Sequence, residues 1–211
     1  MRPEHSTMTL RGRRAGLPAS RVRRVMAVLA LAGMATAAHA LDAQGLFALL
    51  AQSPQGQAKF TETRHLAMLD RPLKSSGTLS FQAPGRLEKI TLEPKSESLV
   101  LDGERLTIVR DGKTLRVNLR SHPQALAFVE AIRGVLLGNY EMLEQNYRTL
   151  FSGSEDNWNV QLTPKDTQAG VVIKQIKVGG QGALVRSIEL LQADGDRSVM
   201  QIEPLAAPAK P

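Results

Sequence analysis

The chain has 211 residues, a formal net charge of +7 and no cysteine. Without cysteine it can form no disulfide bond, thiolate metal site or thiol nucleophile. The basic excess lies in the first forty residues, which hold seven of the 27 arginines and lysines and one of the 20 acidic residues. The rest is almost neutral, with 20 basic and 19 acidic residues, so charge gives no reason to expect nucleic acid as a partner.

The first forty residues have the pattern of a secretory leader. Six arginines between residues 11 and 24 precede an uncharged apolar run of about eleven residues, and Ala38-His39-Ala40 supplies a small-x-small cleavage pattern. A membrane-spanning helix would need about twenty apolar residues. We therefore predict a signal peptide at residues 1–40, cleaved near Ala40. The alternative is an N-terminal membrane anchor.

Residues 41–204 have the length of a single domain, and residues 205–211, rich in alanine and proline, are predicted to be a flexible tail. Asp42 stands at an N-cap position before Leu46, Leu49 and Leu50, whose spacing predicts a helix. Pro54 and the glycine that follows it close this helix. The domain is therefore predicted to begin with one short helix.

About six strands are predicted next, because apolar and polar residues alternate between residues 59 and 119. Gly77, Pro84-Gly85 and Pro94 punctuate the first part of this stretch. Asp102-Gly103 and Asp111-Gly112 separate the last three runs, and Asp-Gly pairs favour tight hairpin turns. The pattern is typical of an antiparallel meander.

Helical periodicity returns between residues 123 and 147, with a break at Gly138-Asn139. Three strand-like segments follow at 158–162, 171–178 and 183–192, and the last turns back at Asp194-Gly195 into residues 197–202. Residues 179–182, GGQG, are predicted to be a further hairpin turn. The predicted fold is mainly β with helices (α+β): a strongly curved antiparallel sheet whose concave face the helices cover.

No constellation for catalysis or metal binding is visible after residue 40. His65 and His122 have no partner at metal-ligand spacing, and there is no nucleophile elbow, phosphate loop or dinucleotide fingerprint. We expect no enzymatic activity, no metal and no cofactor. Aromatic residues make up 4% of the chain, so the interior must be largely aliphatic. Such an interior suits an acyl chain, but the same residues would form the core of any β protein.

Four segments give the chain a resemblance to a known family: FTET at 60–63, GTLSFQAP at 77–84, SLVLDGERL at 98–106 and DGDRS at 194–198. They occur in order across nearly the whole domain. On these segments the chain resembles the periplasmic carriers of outer-membrane lipoproteins, the LolA-like family. The resemblance implies an unclosed β-barrel under a helical lid, with a hydrophobic cavity that accepts the acyl chains of a client. It also implies a location in the periplasm and no cofactor.

The mouth segment, residues 84–87, departs from the family pattern. The family commonly has an arginine before its proline, to which the resemblance assigns the role of holding the lid shut; this chain has Ala83. An aromatic residue and a tryptophan usually follow, where this chain has Leu87 and Lys89. Arg86 would project from the opposite face. The chain is therefore interpreted as a divergent branch, similar to the LolA-related proteins of lipid and polyene export systems.

The leading hypothesis is a monomeric periplasmic carrier that moves a lipoprotein or another acylated lipid from an inner-membrane donor to an outer-membrane acceptor without itself spanning a membrane. An alternative is an envelope assembly factor that uses the half-barrel as a platform for a protein partner. An enzyme acting on glycolipid precursors ranks last because no catalytic constellation is visible.

The cavity lining is predicted from strand alternation and from the apolar stripe of the lid helices. A register error of one residue would move every sheet residue to the opposite face. The predicted lining comprises Phe60, Leu79, Phe81, Leu87, Ile90, Leu99, Leu101, Leu106 and Ile108 from the sheet and Val129, Ile132, Leu136 and Leu137 from the lid.

Overall fold

The computed structural model describes residues 42–205, so the predicted signal peptide and nearly all of the predicted tail lie outside the described residues. Within these bounds no helix has the length and apolar character needed to cross a membrane. The elements in chain order are α1 (Ala43–Leu50), β1 (Gln55–His65), β2 (Leu73–Gln82), β3 (Arg86–Glu93), β4 (Glu97–Asp102), β5 (Arg105–Arg110), β6 (Lys113–Asn118), a 3₁₀ turn (Leu119–Ser121), α2 (Pro123–Leu136), α3 (Tyr140–Asn146), β7 (Tyr147–Ser154), β8 (Asn157–Pro164), the single-turn α4 (Thr167–Gly170), β9 (Ile173–Gln181), β10 (Leu184–Gln192) and β11 (Arg197–Pro204).

The eleven strands form one antiparallel sheet in the order β6-β5-β4-β3-β2-β1-β11-β10-β9-β8-β7. The first and last strands of the chain, β1 and β11, pair in the middle of the sheet. Strands β6 and β7 are its two edges, so the barrel is not closed. The predicted fold class, a mainly antiparallel unclosed barrel with helices, is confirmed.

The first half of the sheet follows the hairpins predicted from the two Asp-Gly pairs. Gly103 has a φ of 58° in the turn between β4 and β5, and Asp111 and Gly112 have φ values of 50° and 71° between β5 and β6. Two consecutive positive φ values are what a two-residue type I′ hairpin requires. The local turn chemistry therefore sets the pairing of these strands.

Two parts of the second half differ from the prediction. Strand β7 follows α3 directly, where the sequence predicts no strand, because its apolar alternation is weak and Leu150 is exposed. Gly179 and Gly180 lie within β9 rather than in a turn. A Cβ at Gly180 would lie 2.3 Å from Cζ2 of Trp158, so this glycine makes room for the indole ring.

The main hydrophobic core lies between the helices and strands β7 to β11. Its centre is Trp158, Val160 and Leu162, which alternate along β8 and are fully buried. Burying a side chain of this size contributes roughly 1.5 to 3 kcal/mol. The helices supply the opposing layer, with Leu46, Phe47 and Leu50 from α1, Ile132 and Val135 from α2, and Leu143 from α3.

The break between α2 and α3 is a glycine C-cap, as the sequence predicts. The N–H of Asn139 donates to the carbonyl of Gly134 at 2.9 Å, and the N–H of Gly138 donates to that of Val135 at 3.0 Å, which is the Schellman arrangement. Gly138 has a φ of 64°. The Asn139 side chain then caps α3 by accepting from the N–H of Met142.

Candidate functional site

Strand register identifies the face of the sheet that the helices cover, here called the inner face. Residues directly opposite in antiparallel strands share a face. Phe60 of β1 opposes Ile202 of β11, and Ile202 packs against the main core. The face that carries Phe60 is therefore the inner face.

Eight of the nine sheet residues in the predicted lining have inner-face register. The face assignment starts at Phe60. It is carried from strand to strand by the antiparallel pairs that connect β1 to β2, β2 to β3, β3 to β4 and β4 to β5. Phe60 and Leu101 are buried, whereas the other six are partly exposed. The eight are Phe60, Leu79, Phe81, Leu87, Leu99, Leu101, Leu106 and Ile108.

Ile90 is the exception, because it opposes Thr78 and Ser98 on the other face. Leu87 and Ile90 are three positions apart, and strand alternation puts such residues on opposite faces. Lys89 takes the inner-face position beside Leu87, opposite Leu79 and Leu99. A charged residue therefore stands where the prediction had chosen an apolar neighbour.

The four predicted lid residues divide into two groups. Ile132 is part of the main core, and Leu136 packs against that core. Val129 and Leu137 are half-buried. The apolar stripe of α2 is therefore divided. One part packs into the core above β7 to β10, and the other part remains accessible.

A cavity of about 260 Å³ lies between α2 and the middle of the inner face. Leu99 is the one member of the predicted lining that contacts it. The other twelve lie elsewhere on the inner face, in or against the core, on the accessible part of α2 and its C-cap or, for Ile90, on the other face. The cavity is lined by Glu62, Arg64, Leu66, Lys89, Leu99, Phe128, Ile188, Leu190, Gln192, Asp196, Arg197, Ser198 and Met200.

The wall of this cavity is mostly apolar. Phe128 of α2 contributes from the helix side, Leu99 comes from β4, and Ile188 and Met200 come from the neighbouring strands β10 and β11. Ile188 and Met200 oppose each other in register. Because they are two branched aliphatic groups and a thioether beside one aromatic ring, these side chains offer dispersion contacts and little directional chemistry.

The exception is a polar cluster on β1, β3 and β11. Glu62 is 9% exposed, and its Oε2 lies 2.5 Å from Nζ of Lys89. The hydroxyl of Ser198 donates to Oε1 of Glu62 at 2.6 Å. The Lys89 ammonium also lies 4.8 Å from the ring centroid of Phe60, a favourable cation–π distance. Lys89 is therefore held in one place at the polar end of the cavity.

Opposing effects act on the pKa of Glu62. Burial alone would raise it, but the hydrogen bonds from Lys89 and Ser198, together with the charges of Lys89 and Arg64, outweigh burial and hold the pKa below its ordinary value. Glu62 is therefore ionised at neutral pH. A charged pair persists inside a largely apolar cavity.

Arg133 joins α2 to the far half of the sheet. Its Nη2 donates to the carbonyl of Gly103 at 2.7 Å and to that of Gly85 at 3.1 Å. Gly85 belongs to the mouth segment and Gly103 to the turn between β4 and β5. The arginine that contacts the mouth thus comes from the helix, whereas the family pattern would place one on the sheet, where this chain has Ala83.

A second polar contact holds the first half of α2. The hydroxyl of Tyr147 donates to the carbonyl of Ala127 at 2.5 Å. Burial, and to a smaller degree the charge of Glu130, raises the pKa of Tyr147, so this donor stays protonated. Helix α2 is therefore fixed to β7 on one side and to two sheet turns on the other.

Sequence reasoning missed Glu62, Lys89, Phe128 and Arg133. Glu62 is two residues from Phe60, and Lys89 is two residues from Leu87, so strict alternation would have found both on the inner face. The criterion of apolar character excluded them. Phe128 and Arg133 required knowledge of where α2 lies, which no local pattern provides.

No group of three or more histidine, aspartate or glutamate side chains in residues 42–205 is arranged to hold a metal ion. The polar cluster has one carboxylate, and that carboxylate already accepts bonds from Lys89 and Ser198. What the arrangement offers is an apolar binding space with a fixed cation at one end.

Comparisons with known proteins identify relatives of this chain. The family model described as "Outer membrane lipoprotein carrier protein LolA-like" matches residues 35–209. A protein named outer-membrane lipoprotein carrier protein from Dechloromonas aromatica (strain RCB) is 27% identical over 176 residues, 82% of this chain and 81% of that protein. One of the same name from Methylibium petroleiphilum (strain ATCC BAA-1232 / LMG 22953 / PM1) is 27% identical over 185 residues, 88% of this chain and 87% of that protein.

Among solved structures, the LolA superfamily protein NE2245 from Nitrosomonas europaea aligns over 80% of this chain and 96% of its own, with 10% identity and a TM-score of 0.41. The family model covers residues 35–209 of this 211-residue chain, which is nearly the whole predicted domain. The protein therefore belongs to the LolA-like family of outer-membrane lipoprotein carrier proteins.

Proposed function

We propose that the protein is a periplasmic carrier that binds an acyl chain beneath α2 and passes its acylated cargo from an inner-membrane donor to an outer-membrane acceptor. The observation that supports this most directly is the cavity of about 260 Å³ between α2 and the inner face, with its mostly apolar wall. The names of the two relatives from Dechloromonas and Methylibium point in the same direction.

The energetics favour an acyl chain as the occupant. Each methylene group that leaves water contributes roughly 0.8 kcal/mol, so several buried methylenes give useful affinity without any directional contact. Small-molecule pockets span about 300 to 1,000 Å³, and a cavity of 260 Å³ lies just below that range. In the described conformation it accommodates part of one chain, and a cargo with several chains would require α2 to move.

The attachment of α2 is compatible with such a movement. On the side of β2 to β5 it is held by the hydrogen bonds of Arg133 to the carbonyls of Gly85 and Gly103. Hydrogen bonds from a charged donor contribute about 1.5 to 3 kcal/mol. An arriving chain could offset that cost through the methylenes it buries. Opening would then separate the Arg133 face of α2 from the turns at Gly85 and Gly103, while Ile132 and Val135 keep the core-facing side of the helix in place.

The proposal is tested by native mass spectrometry on protein purified from a periplasmic fraction without detergent, followed by lipid extraction. A discrete adduct that yields an acylated molecule on extraction is the expected result, and it would also identify the cargo class. Bare polypeptide that rejects added acyl ligands would contradict the proposal and favour the protein-binding assembly factor.

A further inference from the structure

The hydrogen-bonding groups around the cavity are unequally used. Both carboxylates in the lining are occupied, since Glu62 accepts from Lys89 and Ser198, and Asp196 accepts from the N–H of Ala67 at 2.8 Å. Among the cations, Lys89 donates to Glu62 alone within the described residues, and an ammonium has three N–H donors. At the Lys89 end of the cavity, the unused hydrogen-bonding capacity therefore includes N–H donors of the ammonium.

The cations around the cavity are also unequally paired. Arg64, Lys89 and Arg197 contribute to the lining together with Glu62 and Asp196, but Arg197 opposes His65, so its side chain lies on the other face of the sheet. Arg197 pairs with Glu189 at 2.8 Å, whereas Arg64 makes no salt bridge among residues 42–205. A ligand with acceptors at this end would satisfy the remaining N–H donors there, whereas both oxygens of Glu62 already accept hydrogen bonds.

Resting on the proposed carrier function, we infer that the cavity selects an acyl chain that ends in an anionic group, a carboxylate or a phosphate. The chain lies along Leu99, Phe128 and Met200, and the anionic head accepts hydrogen bonds from the Lys89 ammonium. Glu62 and the ring of Phe60 fix the position of that ammonium before the ligand arrives. A preorganised donor loses little side-chain entropy on binding.

The volume of about 260 Å³ restricts the ligand further. It lies below the usual range of about 300 to 1,000 Å³ for small-molecule pockets. Part of one chain, with a compact head, therefore fits the cavity in the described conformation, and several acyl chains on one head do not. The favoured ligands are single-chain amphiphiles with an anionic head.

The test compares four ligands of equal chain length: dodecanoate, dodecyl phosphate, dodecanol and dodecyltrimethylammonium. Each displaces an apolar fluorescent probe from the purified protein below its micelle concentration. We expect at least one anion to bind about tenfold or more tightly than the alcohol, since hydrogen bonds to charged groups have that effect. The stronger anion identifies the head class. If the cation or the alcohol binds as tightly as both anions, the inference is wrong.

A double variant, Glu62→Gln with Lys89→Met, tests the assigned residue without leaving a buried charge unpaired. It should bind dodecanol within about twofold of the unmodified protein and lose the preference for the anion. Lys59→Met, which removes an exposed lysine from the opposite face of β1, should keep that preference. A double variant that folds and still prefers the anion would overturn the role of Lys89.

The two proposals fail in different ways. If none of the four ligands displaces the probe and native mass spectrometry finds no adduct, the carrier function itself fails. If dodecanol binds as well as the anions, the carrier function stands and selection by the Lys89 ammonium is refuted. If the ion pair between Glu62 and Lys89 only stabilises the fold, dodecanol should bind as well as the anions.

Discussion

Arg133 of α2 donates a hydrogen bond to the carbonyl oxygen of Gly103, 2.7 Å away in the turn between β4 and β5. The same nitrogen donates to Gly85 in the mouth segment. One side chain therefore connects the helix to two separate turns of the sheet. These turns lie on the half of the sheet away from the main core, so Arg133 provides a polar attachment of α2 to that half.

Replacing Arg133 with Met should loosen this end of α2. The variant retains the aliphatic stem but loses both hydrogen bonds, so we expect a loss of about 1 to 3 kcal/mol in unfolding free energy. Hydrogen exchange followed by mass spectrometry should show faster exchange in α2 and in both turns. Acyl ligands should also enter and leave faster.

Arg120→Met is the matched control for Arg133. Arg120 pairs with Glu104 on the surface and its side chain is 73% exposed, so its removal should change stability by less than about 1 kcal/mol. Gly85→Ala should reproduce the Arg133 phenotype, because its Cβ would lie 2.6 Å from Nε of Arg133. Unchanged exchange in both Arg133→Met and Gly85→Ala would contradict the assigned role.

Gly138→Ala is predicted to be severely destabilising. Gly138 has a φ of 64°, and an added Cβ would lie 2.1 Å from the carbonyl oxygen of Phe47. Gly112→Ala is its control, because Gly112 has a φ of 71° but nothing within 4 Å of the added Cβ. The left-handed conformation alone costs roughly 1 to 2 kcal/mol. Urea unfolding should show a clearly larger loss for Gly138→Ala, and equal losses would refute the packing argument.

Much of the fold could be predicted because its determinants are local. The two Asp-Gly turns, the cap at Asp42 and the break at Gly138 are each set by the chemistry of a few neighbouring residues. Strand β7 was not predicted because most of its residues are exposed, Leu150 among them, so its sequence has only a weak apolar alternation. Its place in the sheet depends on pairing with β8, which is not a local property.

The candidate site was less predictable for the same physical reason. Register puts Leu99 on the inner face, but whether a residue lines a cavity depends on what packs above it. Ile132 and Leu136 contribute to the core, whereas Phe128 reaches the cavity. The Glu62–Lys89 pair joins residues 27 positions apart, so its formation depends on the register of three strands.

Glu62→Gln should change how stability depends on pH. The folded-state pKa of Glu62 lies below its ordinary value of 4.5. A lowered pKa contributes stability that is present above pH 4.5 and is lost as the pH falls through the folded-state pKa. The variant should be less stable than the unmodified protein at neutral pH and should show a shallower decline below about pH 4.5.

Urea unfolding at several pH values between about 3 and 7 measures this difference. Ser198→Ala provides an intermediate case, because it removes one of the two principal donors to Glu62 and leaves Lys89 in place. If the unfolding free energy declines with the same slope below about pH 4.5 in all three proteins, Glu62 does not contribute to the pH dependence.

Filling the cavity should prevent acyl binding without unfolding the protein. Leu99 lines the cavity of about 260 Å³, and Leu99→Trp introduces a larger apolar side chain into that space. We expect a loss of at least tenfold in affinity for dodecanol, measured by probe displacement, and a stability change within about 1 to 3 kcal/mol.

Leu92→Trp is the control: Leu92 is 57% exposed and one position from the inner-face residue Thr91, so it lies on the opposite face. Its variant should bind normally. If Leu99→Trp remains folded and binds dodecanol as well as Leu92→Trp does, the acyl chain does not occupy this cavity, and the binding site must be sought on the inner face beyond Leu101.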